Sequence, residues 1–381
     1  MIRWAILTGE FPPQAGGVSD YTRLVARELA AAGDEVCVYV PNAKGSRPDD
    51  RGVVIRSLPG QFGPRSLAIL DRLLLDRPRP DRILVQYVPQ AYGCKGMNLG
   101  FATWLNARAS LAAPVWVMFH EVATPFAWRP LRLAVLATAT RVMARLVAGA
   151  ASRVFVSIPA WGPFLKNLNP AVKSPEWLPV PCTFEEDVSR EWEQPSQLRT
   201  QLAPGGEPLI GHFGTFGVHL ASVLVPTLAA VFALAPGVRV LLAGRRSIEF
   251  AREFATNHPA FADRVLATGV LSGVDLIPHL RACDLLLQPF LDGISSRRTS
   301  AMAGLACGLP IVTNLGPLSE EVWRDTTAAV PAPEPAALAR RTAELLADPA
   351  ERSRIGSRGA ELYRNRFAIA HTIAALRGES R

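Results

Sequence analysis

The sequence predicts an α/β protein of two doubly wound domains, and three observations carry that prediction. Short apolar runs alternate with longer segments of helical period along all 381 residues. Most of these runs are continuously apolar rather than alternating, the pattern of parallel strands covered by helices on both faces. The alternation comes in two blocks separated by one polar, charge-rich stretch, and 381 residues exceed what one ordinary core takes.

In the first block, candidate strands lie at 4–8, 36–40, 53–57, 83–87, 115–119 and 153–157. In the second they lie at 209–213, 238–243, 265–268, 284–288, 311–313 and 328–330. Helical patterns fill the intervals, for example 19–32, 67–75, 220–234 and 335–347, which is β-α-β succession. The break, FEEDVSREWEQPSQLRTQLAPGGEP, is polar and closes on Pro-Gly-Gly. The expected boundaries are an N-terminal domain at 1–183, a linker at 184–207 and a C-terminal domain at 208–360. Such domains bind ligands at the carboxyl ends of their strands, here expected to face one another across a cleft.

Composition narrows the function classes. Hydrophobic residues make up 49% and charged residues 19%, so the chain is not disordered. The net charge of +8 suits an anionic partner: a phosphorylated substrate, an acidic membrane surface or nucleic acid. The positive charge is scattered rather than gathered in a patch laced with aromatics, which argues against nucleic acid. The five cysteines, at 37, 94, 182, 283 and 307, have no metal-ligand spacing and read as reduced thiols of a cytoplasmic protein. The opening MIRWAILTGEF reads as a first strand and not as a signal peptide. Arg141 and Arg145 interrupt the best apolar stretch of spanning length, so no transmembrane helix is expected.

Four places hold polar residues where a doubly wound domain puts its chemistry. Gly16 and Gly17 precede a helix whose expected N-cap is Ser19. They form either a plain loop or a close backbone approach with the helix terminus facing an anion. The spacing is not GxGxxG, so a nicotinamide cofactor is not indicated. His120 and Glu121 follow the apolar run at 115–119, and a satisfied structural His is the alternative. Arg245 and Arg246 follow the run VRVLLAG, as a phosphate contact or as a solvated pair. In DGISSRRTSAMAGLACGLPIVTN, Ser295 or Ser296 is the expected N-cap of a helix starting near Arg297. Two adjacent arginines there oppose the helix dipole unless an anion arrives. With Ser and Thr hydroxyls beside them they suit a phosphate or diphosphate, and guanidinium forks suit it better than lysines.

Three stretches together carry a family resemblance: GEFPPQAGGVSDYTRLVARELAAAGDEVCVYVP, VLATGVLSGVDLIPHLRACDLLLQPF and ACGLPIVTN. The chain resembles glycosyltransferase family 4, metal-independent enzymes of the GT-B fold with two Rossmann-like domains. They transfer a hexose or similar sugar from a nucleotide diphosphate sugar with retention of anomeric configuration. The resemblance implies that Gly16 and Gly17 meet the donor diphosphate or the reacting centre, and that His120 meets the donor sugar. It implies that Gly269, Val270 and Leu271 frame the base, and that helices over 361–381 cross back to the first domain. Donor contacts are then expected from Arg245, Asp292, Ser295, Ser296, Arg297, Arg298 and Thr299 as well, and acceptor contacts from Tyr21, Tyr87 and Glu121. Catalytic roles fall to His120, Gly17 and Asp292.

Two departures bear on this. The family's pair of glutamates eight positions apart is missing: alignment on AMA puts Asp292 and Ser300 there, alignment on CGLP puts Ser295 and Ala303. The Arg/Lys pair after the first strand of the second domain is missing too, with His219 the nearest basic residue in GHFGTFGVHLAS. Arg297 and Arg298 are the expected replacements, one reaching phosphate and the other pairing with Asp292, which also takes a donor hydroxyl. No metal and no cofactor are expected. The acceptor is a glycan, a lipid-linked molecule or a small molecule bearing a hydroxyl. A peripheral contact with the inner face of the membrane is one reading of this stretch, but Arg129 and Arg132 lie opposite Arg141 and Arg145 on a helical wheel and spoil a clean face, so a soluble packed helix is the alternative. The alternatives are a degenerate GT-B scaffold, which the missing glutamates favour, and another GT-B enzyme such as a phosphorylase or epimerase.

Overall fold

The structure is a computed structural model and describes residues 1–14, 16–42, 51–107, 111–126, 128–188 and 195–378. The chain divides into two compact units, Met1–Pro179 with Ile369–Arg381, and Val180–Ala368. In the first unit the strands are β1 (Arg3–Thr8), β2 (Glu35–Pro41), β3 (Val53–Leu58), β4 (Arg82–Tyr87), β5 (Val115–Phe119), β6 (Arg153–Val156) and β7 (Glu176–Trp177). They form one parallel sheet in the order β3-β2-β1-β4-β5-β6-β7. In the second unit β8 (Leu209–Phe213), β9 (Arg239–Ala243), β10 (Val265–Gly269), β11 (Leu285–Gln288), β12 (Ile311–Asn314) and β13 (Ala328–Val330) form a parallel sheet in the order β10-β9-β8-β11-β12-β13.

The apolar runs behave as their composition requires. Ile6, Leu7, Val85, Val117 and Phe119 are buried in the first core, and Ile210, Val240, Leu242, Leu285 and Val312 in the second. Each sheet winds outward in both directions from its centre, so the order reverses between β1 and β4 in one unit and between β8 and β11 in the other. At such a reversal the two following connections leave on opposite faces and open a crevice at the carboxyl ends of the strands. That geometry sets where to look: after Thr8 and Tyr87 in the first unit, and after Phe213 and Gln288 in the second.

Three expectations about boundaries change. The second unit begins at Val180, and within the expected linker residues 185–188 and 195–202 are helical, while 189–194 lie outside the described residues. Arg199 ties this stretch to the second unit through Ala282 O at 2.7 Å and the Asp284 carboxylate at 2.9 Å. The polar composition therefore marks a solvated helix rather than a free connection. The return of the chain starts at Ile369 and not at 361: the helix Pro349–Leu362 and the π-helical turn Tyr363–Phe367 belong to the second unit. The helix Ile369–Arg377 belongs to the first, where Arg82 donates to Leu376 O and Arg153 to Ala375 O.

Candidate active site

At the crevice of the first unit, His120 follows β5 and is 6% exposed. Its Nε2 lies 2.8 Å from Gln86 Oε1, and its ring meets the Tyr21 ring edge-on at 4.8 Å. Its backbone is fixed as well: Ser157 Oγ and Trp161 Nε1 donate to its carbonyl, and its amide donates to Tyr87 O. Burial pushes the imidazole pKa down to about 3, so the ring is neutral across the physiological range. With Nε2–H donating to Gln86, Nδ1 is the nitrogen left to accept.

The helix after β1 starts at Gly17 with Gly16 as N-cap, not at Ser19. Ser19 is buried in the first turn instead, its Oγ donating to Gln14 O at 2.6 Å. The cap is Glu10, whose carboxylate accepts the Ser19 amide at 3.1 Å. A Cβ on Gly16 would sit 2.6 Å from Glu10 Oε1, while Gly17 faces open space. The helix terminus expected to meet a phosphate is thus already held by a carboxylate. Burial raises the Glu10 pKa. The two tyrosines expected to meet the acceptor do not offer a surface to it: Tyr21 is 1% exposed and Tyr87 is 0%. Tyr21 braces His120, and Tyr87 packs against Tyr92 and Phe119 with its hydroxyl buried and without a hydrogen-bond partner among the described residues. Glu121 is half-buried beside His120.

At the crevice of the second unit, the turn after β11 carries the charge. Gly293 takes a left-handed φ of 86°, and a side chain there would overlap the backbone of Gly316. The segment is laced to the one after β12: Ile294 N donates to Asn314 O, Phe290 N to Asn314 Oδ1, and Asn314 Nδ2 back to Phe290 O. Glu320 accepts from the Ser296 amide at 3.1 Å, from its hydroxyl, and from Trp323 Nε1 at 2.7 Å. Val180 N donates to Ser296 O at 3.0 Å. Ser296 is therefore buried as a structural tie.

The helix here is Thr299–Ala306, so Arg297 and Arg298 sit in the turn before it and neither serine caps it. The adjacent arginines do not diverge as they would on a helix. Both donate to the same carboxylate, Arg297 to Asp292 Oδ2 and Arg298 to Asp292 Oδ1, and Arg298 also lies over the Phe290 ring at 4.9 Å. Asp292 is the shared counter-ion of both cations. Two buried polar atoms of this segment, Gln288 Oε1 and Ser295 Oγ, have no hydrogen-bond partner among the described residues. A polar ligand is one way to complete such groups.

The remaining expected contacts lie at neighbouring strand ends. Gly269 closes β10 with φ 72°, its amide accepted by Ser247 Oγ at 2.9 Å and its carbonyl accepting from Gly244 N at 2.8 Å. Val270 is 74% exposed. Arg245 is exposed after β9, with its carbonyl taking Phe216 N, and Thr299 opens its helix half-buried. Sequence reasoning missed Glu10, Gln86 and Glu320. Gln86 had a signal, a lone amide inside the apolar run RILVQY, and so did Glu10, an acid directly before a Gly-Gly loop. Glu320 had none, since its partner is 24 residues away.

Comparison with known proteins fits this geometry. Residues 16–182 match the glycosyl transferase 4-like domain, and residues 207–348 match the glycosyl transferases group 1 domain. Together they place the chain in the GT-B glycosyltransferase superfamily. It is a glycosyltransferase of the GT-B type. No curated protein matches it. Among solved structures it shares its fold with Anabaena HepE in complex with UDP and glucose, at 18% identity over 99% of both chains and a TM-score of 0.72. It is equally similar in fold to sucrose-phosphate synthase from Thermosynechococcus elongatus, at 19% identity over 100% of this chain and 98% of that one, with a TM-score of 0.72. A glycosyltransferase from Rickettsia africae shares 13% identity over 99% and 97%, with a TM-score of 0.72.

Proposed function

We propose that the chain transfers a sugar from a nucleoside diphosphate sugar to a hydroxyl acceptor, with retention of configuration at the anomeric carbon. The observation that carries the donor assignment is the pair Arg297 and Arg298 on one carboxylate at the end of β11, within the segment matched by the group 1 domain. The guanidinium forks suit a diphosphate, whose charge grows as it leaves. In this reading the guanidinium groups, rather than a metal or cofactor, meet that charge. HepE has been solved with UDP and with UDP-glucose, which makes a uridine diphosphate sugar the first donor to try.

The bond from the anomeric carbon to the diphosphate oxygen breaks, and a bond to the acceptor oxygen forms on the same face. The acceptor proton leaves to the departing diphosphate or to solvent. A neutral His120, held by Gln86, gives and takes hydrogen bonds with sugar hydroxyls without adding charge beside an electron-poor carbon. The acceptor belongs to the first unit, with Glu121 as its half-buried polar group. A cytoplasmic setting goes with this reading, since five cysteines without metal-ligand spacing suit a reducing compartment.

The test offers uridine, guanosine and adenosine diphosphate sugars to the protein and follows nucleoside diphosphate release and the product's anomeric proton by NMR. Release from one donor above the rate in buffer, with an α donor giving an α product, is the expected result. A β product would make the enzyme inverting, and no release from any donor would favour a binding subunit.

A further inference from the structure

The helix Leu131–Ala150 is twenty residues long, and its length and composition would suffice to cross a membrane. One face is nevertheless built into the first unit, where Met143, Ala144, Val147 and Ala148 join the core. The opposite face carries apolar side chains into solvent. Leu131 is 75% exposed, Val135 53% and Val142 43%, and their spacing sets them on one stripe. Just before the helix Trp128 is 79% exposed and Phe126 44%, their rings edge to face at 4.9 Å. Exposed apolar side chains aligned in this way mark an interaction surface.

On the sequence, the arginines of this stretch spoil that face. The structure removes the objection for Arg141, while Arg145 is exposed. The Arg141 guanidinium turns inward, donating to Thr124 O at 2.9 Å and Ala137 O at 2.8 Å and lying against the Phe126 and Phe164 rings. Arg145 donates to Leu168 O at 2.6 Å. Arg129 and Arg132 stay exposed at the end of the stripe beside Trp128. Between residues 111 and 175 the sequence has seven cations and one acid, Glu121.

We propose that this stripe docks the first unit on an anionic lipid bilayer, the helix lying in the surface plane. Trp128, Leu131 and Val135 enter the boundary between headgroups and acyl chains, and Arg129 and Arg132 meet lipid phosphates. Charge complementarity selects this occupant. A second copy of a chain carrying +8 would bring the same cations to the contact, whereas an acidic bilayer satisfies the apolar stripe and the cations together. The inference does not depend on the proposed reaction, because its test reads binding alone.

The test is co-sedimentation of the full chain with vesicles of phosphatidylcholine alone and of phosphatidylcholine with phosphatidylglycerol. Binding to the anionic vesicles only, weakened by salt, is expected. Arg129→Ala with Arg132→Ala should weaken it roughly 30-fold, at about fivefold per cation near an acidic surface. Trp128→Ser with Leu131→Ser should weaken it at least about tenfold, and all four positions are solvent-facing, so the thermal melt should not move. No binding to anionic vesicles, or binding untouched by both double variants, would overturn the proposal. So would a concentration-dependent dimer in sedimentation velocity that Trp128→Ser with Leu131→Ser abolishes, which would assign the stripe to a second copy.

Discussion

Asp292 holds two guanidinium groups on one carboxylate, and this reverses an expectation drawn from the sequence. Two cations at a bare helix start would repel the dipole, so removing either would stabilise the free protein. With Asp292 between them and the helix starting at Thr299, that gain is absent. Arg297→Ala or Arg298→Ala should instead cost about 0–1 kcal/mol, because the carboxylate keeps one partner and the pairs are partly solvated. Asp292→Ala removes the counter-ion that the two half-buried cations share and should cost about 1–3 kcal/mol, read by denaturant unfolding. Among the remaining residues, His120 makes the sharpest pH prediction. Burial keeps it neutral, with its pKa at about 3, so the wild-type rate should show no inflection from this ring between pH 5 and 8. Gln86→Glu sets a carboxylate against Nε2, which favours the imidazolium and raises that pKa. The variant's turnover should therefore fall as pH drops through the new value, a limb that Gln86→Leu lacks. A pH–rate profile flat in Gln86→Glu would remove Gln86 from the work of holding His120.

The strands were legible because a parallel sheet covered on both faces writes itself as continuous apolar runs, and β5, β8 and β13 have the limits their composition predicts. The helix expected at 335–347 was legible too, but two other helix starts were not, and the two errors share a cause. Ser19, Ser295 and Ser296 look like N-caps locally, but each is buried, and Ser19 and Ser296 are held by long-range partners. Glu10 reaches nine residues along to cap the helix Gly17–Ala31, and Glu320 reaches back 24 to tie Ser296. Nothing in a window of local sequence reports such partners. The same reasoning relocates the expected linker, whose polar composition is that of a solvated helix at 195–202. The caps give a direct test at this scale. Glu10→Ala should cost about 1 kcal/mol in the first unit by uncapping its helix, and Glu10→Gln less, since the amide oxygen still accepts. Equal stability of wild type and both variants in urea would mean that the helix start is satisfied by other groups.

Each unit buries one histidine that burial keeps neutral: His120 in the first, and in the second His212, whose pKa burial lowers to about 4 despite a hydrogen bond to Leu287 O at 2.7 Å. Both folded values lie below the ordinary 6.5, so between pH 6.5 and about 4 the unfolded chain binds the extra protons. Stability in each unit should therefore fall with falling pH, by up to about 1.4 kcal/mol per pH unit for one proton. Replacing His212 by Gln should flatten that slope in the second unit's transition and leave the first unit's unchanged. A slope unaltered by the replacement would assign it to carboxylates instead. Above these details stands the assignment of the donor diphosphate to the turn after β11. Calorimetric titration of UDP, GDP and ADP into wild type, Arg297→Ala, Arg298→Ala and His120→Ala tests it most directly. The account predicts that one nucleotide binds, that at least one arginine variant weakens it about 10- to 150-fold, as loss of a charged hydrogen bond requires, and that His120→Ala leaves it nearly unchanged. Wild-type affinity in both arginine variants would contradict the account and move the diphosphate elsewhere, with Arg245 and Arg246 the next cations to replace.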